Sequence, residues 1–135
     1  MKRALFLMAG LLFLSVAVSA QDELAEYRPY MQSIRDAVAS LRKNLEAKTG
    51  PAAAADANKA AGVFGQVHAF WQKKNVADAV QFAMNAQNGL KQVAEHAAAG
   101  RFDEATAALT EAQKNCAGCH EAHRERAPDN SWKIK

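Results

Sequence analysis

Residues 76–97 read VADAVQFAMNAQNGLKQVAEHA. Val76, Ala79, Ala83, Ala86, Leu90, Val93 and Ala97 fall at steps of three and four, with Gln, Asn, Lys and Glu between them. Side chains so spaced share one side of a helix with 3.6 residues per turn, so the segment is an amphipathic helix whose apolar face seeks a core. The same step recurs three more times. Leu24, Tyr27, Met31, Ile34, Val38, Leu41 and Leu45 form one stripe, and Ala53, Ala57, Ala60, Phe64, Val67 and Trp71 another. The last runs through Phe102, Ala105, Leu109, Ala112, Cys116, Cys119 and His123. Gly50-Pro51 ends the first helix and starts the second, with Pro in a permitted first-turn position. Asn75 is a cap for the third helix, with Asp78 in its first turn, and Gly100 breaks the chain before the fourth. Pro128 stops the last helix, which then ends near Ala127. The connections are short, so neighbours run antiparallel. The expected fold is all-α, an antiparallel up-down-up-down four-helix bundle.

Residues 1–20 have a different character. Lys2 and Arg3 precede an almost unbroken apolar run from Ala4 to Val18, and Val18-Ser19-Ala20 offers small residues for cleavage. That is the pattern of a secretory signal peptide, cut after Ala20, with residues 21–135 as the mature domain and Gln21 as its first residue. The run is short of the ~20 apolar residues a spanning helix needs, so no membrane span remains after cleavage. No cysteine follows the cleavage site to carry a lipid. The expected location is the periplasm. Losing Lys2 and Arg3 also takes two charges from the formal net charge of +3, so the basic balance of the whole chain is no sign of nucleic-acid binding. No basic run, phosphate-binding glycine loop or low-complexity tract is present, and nucleic acid is not an expected partner.

The chemistry concentrates in Cys116-Ala117-Gly118-Cys119-His120, a CxxCH, which uses both cysteines of the chain. This pentapeptide is the attachment signature of c-type haem. Two thiols three residues apart on a helix reach the two vinyl groups of one porphyrin, and the next side chain is an imidazole aimed at iron. A thioredoxin-like pair needs a βαβ setting that the sequence lacks. A structural zinc site wants four ligands, usually with a second ligand pair, which the chain does not offer. One covalently attached haem c is the expected cofactor, with Cys116 and Cys119 as thioethers and His120 as the proximal axial ligand. Haem c is attached after export, which agrees with the signal peptide.

Topology locates a second ligand. In the expected bundle the start of the first helix lies beside the end of the fourth. His120 stands ~10 Å before the expected end of its helix, and Met31 ~13 Å after Asp22, so the two fall at nearly one level. Met31 is therefore the candidate distal axial ligand, with plain core packing as its alternative use. His68 is the rival distal ligand, and an open distal face the third option. Phe64, His68, Phe70, Trp71 and Phe82 belong to the same pole and should gather around the haem. His96 falls near the other pole as a surface histidine. His123 should line the exposed proximal side. Trp132 and Ile134, alternating with Lys133 and Lys135, should lie over the bundle end with no chemistry of their own.

An exported four-helix chain with CxxCH near its C-terminus and a first-helix ligand candidate resembles the cytochrome c′ family over nearly all of residues 21–135. His120 followed four residues later by Arg124 matches that family's pattern, with His123 where many members carry an aromatic residue. The resemblance implies that Arg124 lies near the proximal histidine. Members often carry an Arg four residues before the distal residue; here Arg28 is three before Met31, and Pro29 follows it, so the helix kinks or begins afresh there. Arg28 is thus the looser match as a haem neighbour. The family's low-spin relatives ligate a first-helix Met and carry electrons, whereas others leave the distal face open and bind small gases such as NO or CO. The expected function is a periplasmic monohaem c-type cytochrome with His/Met-ligated iron. It would move single electrons between other redox proteins of the periplasm and would not be an enzyme. A five-coordinate gas-binding protein is the alternative. A small haem enzyme comes third, since no distal His–Arg acid–base pair is evident. The resemblance leaves monomer and homodimer both open.

Overall fold

A computed structural model of the chain describes the backbone of residues 9–135 and the side chains from Gln21 onward. Of the expected signal peptide, residues 1–8 lie outside the described residues, and for residues 9–20 only the backbone is described. Four helices follow in order: α1 (Ala9–Glu46), α2 (Gly50–Lys73), α3 (Ala77–Ala98) and α4 (Phe102–His123). Two short strands, β1 (Arg124–Arg126) and β2 (Trp132–Ile134), close the chain as an antiparallel hairpin. The fold is an all-α four-helix bundle, with each helix packed on the next in sequence. Among the described residues no helix is long and apolar enough to cross a membrane.

The stripes become the core. Ala53, Ala57, Ala60, Ala79, Ala97 and Ala105 are fully buried, and the largest fully buried side chains are Leu41, Val67, Trp71 and Val93. Buried alanines on both α2 and α3 suit a close approach of these helices, since spacing depends on the side chains at the contact. Gly89 serves α3 and α4 in the same way. A Cβ built on it would stand 2.8 Å from the Cβ of Ala112, closer than real carbons approach.

The turns correct two details. Asn75 does not cap α3: it adopts a left-handed conformation (φ 57°) in the turn, and Val76 takes the cap position. Asn tolerates that region better than most residues, so it serves as the turn and leaves capping to its neighbours. Asp78 does sit in the first turn of α3, and its carboxylate accepts the Ala79 N–H at 3.0 Å. The last helix ends at His123, not near Ala127, because Arg124 turns to extended backbone (φ −124°, ψ 135°) and pairs with Ile134. Pro128 cannot donate to a continued helix and disfavours helical geometry at Ala127, and the hairpin supplies the hydrogen bonds instead. Pro29 lies inside α1, which continues through it.

One half of the bundle is solid and the other is not. On α1 the buried positions run from Ile34 to Leu45, and on α4 from Ala105 to Ala112. Toward the other pole, Leu24, Tyr27 and Met31 on α1 and Cys116, Cys119 and His120 on α4 are only half-buried. The two helices barely meet. On the α4 side the gap is faced by Cys116 and Cys119, whose side chains are too small to reach across.

Gly89→Val should lower stability by about 1–3 kcal/mol, the usual penalty for an overpacked contact, read from the midpoint of urea unfolding. Gly62, whose Cβ would meet nothing within 4 Å, is the control. Gly62→Ala should stabilise α2 by about 0.5–1 kcal/mol.

Candidate functional site

The gap between α1 and α4 is a cavity of about 1210 Å³. That is larger than the ~300–1,000 Å³ usual for pockets that take small molecules and cofactors. Tyr27, Arg28 and Met31 stand on its α1 wall; Cys116, Cys119 and His120 on its α4 wall. Phe64, Val67 and Trp71 of α2, with Phe82 and Ala83 of α3, form an apolar back, and the hairpin contributes Ser131 to Ile134 at the pole.

The α4 wall is placed by a glycine. A Cβ on Gly118 would come within 2.7 Å of Cε1 of Phe82, so the backbone of the CxxCH segment lies directly against that ring. Only the bare backbone allows this approach, and it turns Cys116 and Cys119 to the cavity. Both cysteines are free. Burial pushes the Cys116 thiol up, and burial, with the charges of Cys116 and Asp78, pushes Cys119 up to about 11. Reactive dithiol pairs show the opposite shift, because they need the thiolate. Burial and then the Arg124 charge hold His120 below the ordinary histidine range, so its imidazole is neutral near pH 7 with a lone pair to give. Thiols, a neutral imidazole and a thioether are a soft donor set. Among the described residues, no group of three or more His, Cys, Asp or Glu gathers for a metal ion.

The pole is closed by an aromatic cluster. The Trp71 indole N–H donates to the Tyr27 hydroxyl at 3.1 Å, and Tyr27 packs on Phe70 with ring centres 4.7 Å apart. Burial raises the Tyr27 phenol to about 12, against the Trp71 hydrogen bond, which works the other way. The His123 ring sits 5.1 Å from Trp71, and its Nε2–H donates to Asp78 at 2.9 Å. Desolvation pushes Asp78 up, but the hydrogen bond and charge of His123, with the Ala79 N–H, together outweigh it and hold the carboxyl below the usual range. That pair ties the end of α4 to the start of α3.

The cavity thus brings together Cys116, Cys119, His120, Met31, Arg28 and Arg124 on one wall or another. It does not include His68, which is half-buried elsewhere on α2, nor Phe70, which is buried beneath Tyr27 and Trp71. His123 is on the wall too, yet its side chain is only 16% exposed rather than open to solvent. Trp132 and Ile134 are cavity residues on a strand, not a loose cover. The period-two alternation of Trp132, Lys133, Ile134 after the turn-rich Pro128-Asp129-Asn130-Ser131 was the available signal for that strand. The Asp78–His123 and Tyr27–Trp71 partnerships had no sequence signal beyond their shared pole. Compared with protein-family models, curated proteins and solved structures, the chain gives no match.

Tyr27 sets an alkaline limit on stability. Its folded value exceeds the ordinary 10.0, so its contribution is fully present below pH 10 and is lost as pH rises toward about 12. Urea unfolding between pH 9 and 12 should show this decline. In Tyr27→Phe it should vanish, together with about 1–3 kcal/mol at pH 7, because the buried Trp71 N–H loses its acceptor.

Proposed function

We propose that the protein is an exported monohaem c-type cytochrome of the cytochrome c′ kind, passing single electrons between redox proteins of the periplasm. The observation that carries this reading is the cavity itself: a large apolar-backed gap with Cys116, Cys119 and His120 on one wall and Met31 on the facing helix. The residues fit the group. Cys116 and Cys119 would hold a haem through two thioethers, His120 would supply its imidazole and Met31 its sulfur. The bare backbone at Gly118 leaves Phe82 free to wall the site. Arg28 and Arg124 place two guanidinium groups on the wall, suited to carboxylate arms. A haem held there supplies one iron that gains and loses a single electron. Phe64, Phe82 and Trp71 exclude water from the back, and the rigid helices keep His120 and Met31 in place, so little has to move when charge changes. A His/Met pair favours a higher potential than other ligations. The export step rests on the residue pattern of the first twenty positions.

Expressed in a host that attaches haem c, the purified chain should begin at Gln21 and carry one haem that acid acetone does not extract. Replacing both cysteines with Ala should leave it extractable or absent. Loss of colour into acetone from the unaltered protein would refute covalent attachment. The ferric spectrum should be low-spin with a weak far-red band from sulfur ligation, and carbon monoxide should bind the ferrous protein slowly. Met31→Ala should turn the iron high-spin and speed gas binding. An unaltered protein that is already high-spin and takes carbon monoxide at once overturns Met31 ligation in favour of gas binding.

A further inference from the structure

The hairpin is more firmly built than two three-residue strands require. Arg124 pairs with Ile134 and Arg126 with Trp132, and cross-strand partners share a face, so all four side chains project to one side. The guanidinium carbon of Arg124 lies 3.9 Å from the Trp132 ring centre, and that of Arg126 4.0 Å. Both cations stack on the one ring, the geometry in which the aromatic quadrupole attracts charge. Arg126 also donates to the Asn130 carbonyl at 2.7 Å across the turn, which keeps it on the hairpin. Lys133 pairs with Glu125 at 3.0 Å. At the far end, the Lys135 N–H donates to the His123 carbonyl at 3.0 Å and its Nζ to the Glu121 carbonyl at 2.6 Å, anchoring β2 to the last turn of α4. Ile134 packs on the core edge.

Arg124 is the one member of this stack that starts at the end of α4, four residues after His120, and both line the cavity. An arginine on a free strand spreads over many rotamers in water, and its charge is then screened and averaged. Stacking between two fixed elements removes that freedom. We propose that Trp132 is a positioning residue: by clamping the Arg124 guanidinium beside His120, it raises the reduction potential of the group His120 binds. This rests on the haem reading above. A fixed positive charge beside the site favours the state that holds one more electron, and the effect weakens as the charge moves out into solvent. Trp132 itself remains 40% exposed, so its main partners are the two cations rather than the core.

The test is a redox titration of the haem-loaded full chain at low ionic strength, with helix content checked by circular dichroism. Trp132→Ala should lower the midpoint potential, and Trp132→Phe, which keeps a π face, should restore most of it. Arg124→Gln should lower it as well, and adding Trp132→Ala to that variant should lower it no further. Limited trypsin digestion reads the clamp without reference to the iron: cleavage after Arg124 and Arg126 should quicken severalfold in Trp132→Ala and stay near the parent rate in Trp132→Phe. If the alanine variant does not fold, Trp132→Leu, which covers the cavity but offers no π face, takes its place with the same expectations. An unchanged midpoint and digestion rate overturns the clamp while leaving the haem reading intact. An equal fall in potential with and without Arg124 also overturns it, since the ring would then act only as a cover. A chain that carries no haem removes both.

Discussion

Close packing between α2 and α3 supports everything else in the molecule. Ala53, Ala57 and Ala60 of α2 and Ala79, Ala83 and Ala86 of α3 are all buried, and these two helices share the most extensive contact in the bundle. A contact so extensive has few alternatives, because any shift opens a void or creates a clash. α1 leans on one side of this pair and α4 on the other, and each is anchored by larger residues in the solid half, Leu41 and Leu45 on α1 and Leu109 on α4. Because the outer helices are fixed through the inner pair and not through each other, they can stand apart at one pole without loosening the bundle. The cavity is a consequence of that arrangement.

On the proposed reading, what lines the cavity suits an apolar cofactor. Its back is hydrocarbon and aromatic, its α4 wall carries donors kept neutral by burial, and its charged residues are arginines and a lysine. A neutral imidazole and a thioether lose little on leaving water, so they can be buried against an apolar cofactor at small cost. The cations stand where carboxylates could meet them. The Trp71–Tyr27 hydrogen bond and the Asp78–His123 pair hold the surrounding helices at the cavity's pole, where α1 and α4 barely pack on each other. On the proposed reading, the polar contacts of this pole compensate for the core volume given up to the cofactor.

Much of the site could be read in one dimension because its parts are local. Cys116, Cys119 and His120 lie within five residues, and the place of Met31 follows from helical phase and level, both of which depend only on spacing. His68 shows where that reasoning ends. It sits one position away from Val67, and that step, about 100° around a helix, takes it off the cavity wall while Val67 stays on it. Phe70 shares the pole and is nonetheless turned beneath Tyr27. Level along a helix follows from counting, but rotation toward a gap depends on how the neighbours pack.

By itself the sequence determined four helices, their order and antiparallel run, the stripes that meet in the core, and the clustering of thiols and imidazole on the last helix. Those properties follow from helical period and chain connectivity, which are local. Only the tertiary structure decided that α1 and α4 part to leave a cavity, that α4 ends at His123, and that the tail folds back so Trp132 stacks on Arg124 and Arg126. Each of these is a competition. Continued helix competes with strand pairing beyond His123, and helix contact competes with the small size of Cys116 and Cys119. Such balances are settled by partners distant in sequence, whose volumes and charges meet only once the bundle has formed.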